Sequence, residues 1–407
     1  MNKEKLLTGD SFLLTAGGFL ALCIQRMITF AIGFFLILES QSTSLYSAYM
    51  LTGTLPALVV PVIAGPFLDR WSKRNVLCFL NALFLCIYLF LLVVWRQPGG
   101  PGFIFLLAVC AILGILKSLY ELVHEIFFAV LLEKESYQKG YAVFNTLEMI
   151  TYCMMPLAVI LYSRTGMAAI LFLGSAVLVI ALVMECLIKD KGVGRKDADG
   201  FVQDYAVKMK DGVKCLSADK GLLCIQLFLA VDCLAMGAKQ VVELPYFMNH
   251  FADGGWLYIQ IWLASMIGRI AGNGVQYGRK LAPEKRFSTA FSIYLCVYLL
   301  GGVYLFMSEN IMWIMCFLSG FLSTRSYNIR ISAVQSYVED EKKGRLQSIS
   351  QFFESGGLVL GQALAGILVI RISERAALAV FMGAALVFVV MVMGRSAEVK
   401  KIYNGES

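Results

Sequence analysis

The sequence predicts an all-α polytopic membrane protein: twelve transmembrane helices arranged as two pseudo-symmetric six-helix halves. Three observations predict it. The 407 residues are 59% hydrophobic and only 15% charged, with a mean hydropathy of +0.73, too little polar residue to solvate a globular surface. The apolar residues gather into runs of about 18–25, each long enough to cross a hydrocarbon core of about 30 Å. Sequence features recur at an offset of about 206 residues, as an internal two-fold repeat requires.

Taken in order, the predicted spans are Ser11–Leu38, Leu45–Leu68, Asn75–Trp95, Phe103–Leu131, Tyr141–Ser163, Met167–Ile188, Gly221–Met248, Trp256–Tyr277, Phe287–Met307, Ile311–Tyr337, Leu346–Ile370 and Ala376–Gly394. The apolar run after Met1–Asp10 is of full membrane length and lacks a small-residue cleavage site, so it reads as the first span and not as a removed signal peptide. Most of the 35 Lys and Arg fall at one side if the N-terminus is inside, leaving Arg96, Arg164, Arg371 and Arg375 outside. Both termini are therefore expected to be cytoplasmic, in a multi-pass protein of the cell (inner) membrane.

The charged stretch 189–220 divides the chain into an N-terminal half (1–188) and a C-terminal half (221–394), with 395–407 as a cytoplasmic tail. Its segment Phe201–Cys215 alternates well enough to lie as a helix on the membrane surface. The eleven cysteines lie mostly in apolar runs with no C-x-x-C spacing, which predicts neither a disulfide framework nor a metal site. The net charge of +7 is accounted for by topology and calls for no nucleic acid.

Charge inside the spans is the most informative feature, because an ionisable residue at mid-membrane costs about 2.5–3.5 kcal/mol on insertion scales. Span 1 carries Gln25, Arg26 and, near its outer end, Glu39. Span 4 carries Lys117, Glu121, His124 and Glu125. Span 7 carries Asp232, Lys239 and Glu243, and span 10 carries Arg325 and Arg330. Spans 3, 6, 9 and 12 carry no mid-span charge, Glu185 standing near an inner end. Lys117, Glu121, His124 or Glu125, and Phe128 recur on one helical face. They form either a self-neutralised pair that eases insertion or a stripe that meets substrate and protons. At the repeat offset Arg26 falls on Asp232 and Glu148 on Glu354. Arg26 and Asp232 can pair with each other, or each can be neutralised in its own half, Arg26 for example by Glu121.

Between spans 2 and 3 the chain reads Gly65-Pro-Phe-Leu-Asp69-Arg70-Trp-Ser-Lys73-Arg74. With the preceding Thr43-x-x-Tyr46 to Pro61 segment and the Glu133–Asn145 hairpin, this loop resembles the helix 2–3 loop of the major facilitator superfamily. Within that superfamily the chain resembles macrolide-efflux-like and drug–proton antiporter-like members. A weaker echo stands at Gly272-Asn-Gly-Val-Gln276-Tyr277-Gly-Arg279-Lys280, with Gln276 in place of the acid. Where the antiporters carry a glycine-rich signature in helix 5, this chain has Thr151–Ile160, of which Pro156 alone matches.

The resemblance implies a secondary active transporter working by alternating access, with helices 1, 4, 7 and 10 lining a central cavity. The expected function is proton-coupled efflux of a small amphiphilic or charged molecule, with proton-coupled uptake of a charged metabolite as the alternative. Gln25, Arg26, Lys117, Glu121, His124, Glu125, Asp232, Lys239, Arg325 and Arg330 are the expected substrate or proton groups. Gly65, Asp69, Arg70, Arg74, Glu148, Arg269 and Glu354 are the expected gating groups, Glu148 and Arg269 as a state-dependent salt bridge.

The expected partners are a small-molecule substrate, protons and the lipid bilayer, with the chain a monomer and without cofactor or nucleic acid. No G-x-x-x-x-G-K-[ST] loop occurs in the sequence, and the two histidines, His124 and His250, lie on different helices or ends. Neither a nucleotide-driven pump domain nor a hydrolytic site is therefore expected. A sensor would need a soluble output domain, and the longest loop is about 30 residues, short beside a typical domain.

Overall fold

The computed structural model describes residues 9–68, 71–131, 144, 146–148, 150–189, 219–278, 281–338 and 340–405. Helices account for nearly all of them: α1 (Gly9–Ser40), α2 (Thr43–Leu68), α3 (Lys73–Trp95), α4 (Phe103–Leu131), α5 (Met154–Cys186), α6 (Lys220–His250), α7 (Gly254–Gly278), α8 (Arg286–Val303), α9 (Glu309–Tyr337), α10 (Asp340–Leu368), α11 (Glu374–Phe388) and α12 (Ala397–Asn404). Among the described residues seven helices are long and apolar enough to cross a membrane. In lipid, a backbone that leaves no N–H or C=O unpaired must be helical or closed into a barrel, so long apolar runs settle as helices.

Local chemistry sets the helix ends. Asn75, Leu222, Ala376 and Val399 donate their N–H groups to the side chains of Ser72, Asp219, Ser373 and Ser396, which cap α3, α6, α11 and α12. Predicted spans 5 and 6 meet inside α5 at Gly166, whose φ of 76° breaks the helical path in a conformation that favours glycine. The hairpin 133–140, most of the linker and the amphipathic stretch 201–215 lie outside the described residues.

The chain divides into two compact units, Met1–Glu39 with Thr52–Gln203, and Ser40–Leu51 with Asp204–Ser407. In the first unit α3 packs on α4 and α5 around buried Phe84, Tyr88 and Tyr120. In the second, α6 packs on α10, α7 on α9, and α8 on α9 and α11, around Phe228, Tyr294, Tyr298 and Met382. The start of α2 is held within this second unit: Ser47 Oγ donates to the Gln362 carbonyl at 2.7 Å and Thr43 Oγ1 to Glu374 Oε1 at 3.0 Å.

Glycines set the closest helix approaches. An added Cβ would stand 2.3 Å from the Leu358 carbonyl oxygen at Gly237, 2.2 Å from that of Ala230 at Gly357 and 2.0 Å from that of Leu234 at Gly361. These three seat α6 against α10. Gly268, Gly272 and Gly320 do the same between α7 and α9, and Gly114 lies against the Thr52 carbonyl. Small residues at such crossings let backbones meet where lipid supplies no hydrophobic drive for association.

One stretch departs from expectation. Residues 397–404, expected within a tail, form α12, whose Val399, Ile402 and Tyr403 are buried. The Ile402 side chain lies on Gly221, where an added Cβ would be 2.6 Å from Cδ1. Tyr403 and Tyr294 hydroxyls are 3.2 Å apart, and the Phe287 N–H donates to Asn404 Oδ1. Burial pushes the Tyr403 phenol far above its ordinary range, so it stays neutral.

Candidate functional site

In the first unit the polar residues converge on Arg26 of α1, which is 6% exposed. Its Nη2 donates to Glu148 Oε1 at 3.2 Å and stands 3.9 Å from Glu121 Oε1. The guanidinium lies 3.8 Å over the Tyr152 ring. One turn back on α4, Lys117 Nζ is 3.9 Å from the same Glu121 oxygen. Arg26 therefore finds its carboxylates within its own unit, the second of the two arrangements open from the sequence. Glu148, expected to meet Arg269, is engaged by Arg26. Arg269 is exposed, with no ion pair among the described residues. Next to Arg26, Gln25 is 1% exposed and both of its amide atoms lack a hydrogen-bond partner.

The predicted stripe on α4 splits. Lys117 and Glu121 remain partly exposed, whereas His124 and Phe128 are buried. Glu125 is exposed. His124 Nε2 meets the Leu14 carbonyl at 3.2 Å, its ring stacked between Tyr120 and Phe144. A Cβ at Gly18 would fall 1.9 Å from that nitrogen, so it is the glycine that lets α1 close over the ring. Gly18→Ala is expected to displace His124 and to cost about 1–3 kcal/mol of stability, the range for overpacking a filled core. Thermal unfolding in detergent measures it, and Gly18→Ala with His124→Ala should restore part of the loss.

The second unit answers with a cluster around Asp232. Tyr298 donates its hydroxyl to Asp232 Oδ1 at 2.6 Å. Arg330, 7% exposed, lies 5.4 Å over Tyr327 and 6.0 Å over Phe228, within electrostatic reach of Asp232, Tyr294 and Glu354. No ion pair fixes its guanidinium among the described residues. Glu354 is half-buried. Further along α6, Lys239 pairs with Glu243 at 3.3 Å, and Tyr304 donates to the same carboxylate. Arg325 sits over Phe321 at 5.7 Å. Gln226 is 2% exposed with its amide oxygen unpartnered.

Each unit thus sets one buried arginine among two carboxylates: Arg26 with Glu121 and Glu148, and Arg330 near Asp232 and Glu354. At the repeat offset of about 206 residues, Arg26 falls on Asp232, a cation on an acid, whereas Glu148 falls on Glu354, an acid on an acid. The tyrosines that complete the second cluster were not singled out from the sequence, although Tyr294 and Tyr298 stand one turn apart in a span without charge.

Of the expected gating groups, Gly65 lies in the last turns of α2, while Asp69 and Arg70 lie outside the described residues. Arg74 Nη1 donates to the Ile188 carbonyl at 2.9 Å, tying the start of α3 to the residues that follow α5.

The model of the Major Facilitator Superfamily matches residues 14–353. No curated protein matches the chain in sequence. Among solved structures, the nucleoside transporter NupG shares 12% identity at a TM-score of 0.68, covering 95% of this chain and 99% of that one. A peptide transporter POT in complex with alafosfalin shares 14% at 0.67, covering 96% and 95%. A POT family transporter in complex with 5-aminolevulinic acid shares 12% at 0.66, covering 95% and 96%. At these identities the likeness carries the twelve-helix fold. The chain belongs to the major facilitator superfamily and is a secondary transporter of that kind, not an enzyme.

Proposed function

We propose that this transporter couples proton entry to the efflux of a small amphiphilic molecule bearing a charged group, by alternating access. The observation that carries the reading is the pair of arginine–carboxylate clusters. A buried arginine offers a planar fork to a carboxylate or phosphate, and Arg330, with no ion pair among the described residues, is the one we assign to substrate. The Arg26 cluster is assigned to protons. Protonating Glu121 or Glu148 weakens its hold on Arg26, and deprotonation restores it, so the state of the cluster follows the proton. Gln25 and Gln226 add uncharged donors and acceptors to the same helices. Lys117, Glu125, Lys239 and Arg325 set the surrounding potential.

In the same reading Gly65, Asp69, Arg70 and Arg74 form the inner gate. Glu148, Arg269 and Glu354 change partners between states. Both termini are cytoplasmic, and one chain is the working unit, divided at 189–220. The macrolide-efflux-like resemblance supports the outward direction.

Proteoliposomes with an imposed pH gradient, screened against amphiphilic drugs and charged metabolites, test this. The expected result is solute movement opposite to that of protons. Movement in the same direction would replace efflux by uptake symport, and gradient-independent behaviour towards every solute would leave a transport-inactive sensor.

A further inference from the structure

Among the described residues, the most completely enclosed carboxyl group of the first unit belongs to neither arginine cluster. Glu185, the residue before Cys186 at the end of α5, is 0% exposed, as are Asn81 of α3 and Tyr120 of α4. Tyr120 donates its hydroxyl to Glu185 Oε1 at 2.7 Å, and Asn81 Nδ2 donates to Oε2 at 2.8 Å. Glu185 forms no ion pair among the described residues. We propose that Glu185, Asn81 and Tyr120 form a proton-binding site, separate from the substrate clusters, in which Glu185 is held as the neutral acid.

The argument begins with the carboxyl's surroundings. Both of its hydrogen-bond donors are uncharged, and a charge removed from water without a counter-ion costs several kcal/mol. The Asn81 amide supplies a second, independent sign. Its Oδ1 is buried and has no donor. A carboxylate can only accept, so it leaves that oxygen orphaned. A carboxylic acid carries one donor and one acceptor, the complement of a primary amide.

Among the described residues no cation of a neighbouring element pairs with Glu185. On α3, Arg74 is spent on the Ile188 carbonyl, and Cys78 faces Cys186 with the sulfurs 3.5 Å apart. Lys73, also on α3, is buried and has a partner of its own. From α4 come Tyr120 and His124, the latter bonded to Leu14. From α1, Asp10 accepts from the Lys189 N–H at 3.1 Å. α1 also closes the site. An added Cβ at Gly17 would lie 3.6 Å from Glu185 Cγ and 3.4 Å from the Ala181 carbonyl oxygen, so the helix rests directly on the carboxyl's stem. Consecutive glycines, Gly17 and Gly18, thus seal two titratable side chains, Glu185 and His124. The proton can exchange only when α1, α3 and α4 part from α5 far enough to admit water, which makes the site a reporter of that separation. None of this depends on the solute or its direction of movement.

Infrared spectroscopy of the purified full-length protein tests the site directly. Near pH 7 the wild type should show the C=O stretch of a hydrogen-bonded carboxylic acid, shifted in D₂O and missing from Glu185→Gln. Glu185→Gln should keep its helicity, since an amide accepts from Tyr120 and can donate to Asn81. Tyr120→Phe should raise the frequency of the band by removing one donor. If wild type and Glu185→Gln have the same carboxylic-acid spectrum, the proposal fails. It fails equally if the band is untouched by Tyr120→Phe, the readout that decides should the glutamine variant not fold.

Discussion

Gly361→Leu should lower the thermal unfolding midpoint of the detergent-solubilised protein by about 5 °C or more, whereas Gly356→Ala, five residues earlier, should leave it unchanged or slightly raised. The contrast comes from where each Cβ would go. At Gly361 it falls 2.0 Å from the Leu234 carbonyl oxygen, a backbone atom that cannot swing aside, so α6 and α10 must separate. At Gly356 it meets nothing within 4 Å. Overpacking costs about 1–3 kcal/mol and sometimes more, and in a unit of about 200 residues each kcal/mol moves the midpoint about 2–4 °C. Replacing an unconstrained helical glycine by alanine instead gains up to about 1 kcal/mol. If the two variants unfold together, the α6–α10 contact is looser than described.

Removing Arg26 should have the larger effect on transport. In Arg26→Ala the carboxylates of Glu121 and Glu148 lose the guanidinium that joins them, and Lys117 is left as the single cation paired with Glu121. Losing one member of a buried pair costs about 3–5 kcal/mol. The carboxylates are 37% and 43% exposed, so water returns part of that. Where the remaining loss falls on the step that limits the cycle, about 1.4 kcal/mol is a tenfold fall in flux, the least expected here. Arg26→Lys should recover only a fraction, because an ammonium cannot reach both carboxylates in the fork geometry or stack flat on Tyr152. The measurement is gradient-driven flux of the solute found by the proteoliposome screen, with unfolding followed in parallel. A variant that unfolds normally but transports at the wild-type rate would remove Arg26 from the mechanism.

How much of this was legible beforehand depends on what kind of signal each feature leaves. Span length and charge placement are strong signals in a membrane chain, and they led to the fold and to Arg26, Glu121, Asp232 and Arg330 as residues in polar clusters. Gly268 with Gly272, and Gly357 with Gly361, stand four residues apart, the spacing that lets helices meet closely. Which way each helix turns left no comparable trace. Lipid is as apolar as the protein interior, so the buried face and the lipid face of a span have similar composition. That is why His124 could be placed on a stripe with Lys117 and Glu121 although it turns under α1. It is also why Gly114, in step with Ser118 but with no second glycine, gave no clear warning of its contact with Thr52. Glu185 read as a charge near a helix end, where a carboxylate costs little. Its enclosure depends on Asn81 and Tyr120, each unremarkable in its own span, and on Gly17 arriving from a fourth.

The packing of α12 bears on how the protein is made. The last predicted span, Ala376–Gly394, leaves the ribosome before Ile402 and Tyr403, yet those two side chains fill the space beneath Gly221 and beside Tyr294. The second unit therefore finishes folding only after Tyr403 has been synthesised, and a chain halted before Val399 lacks that packing. The first unit, Met1–Glu39 with Thr52–Gln203, has no such wait.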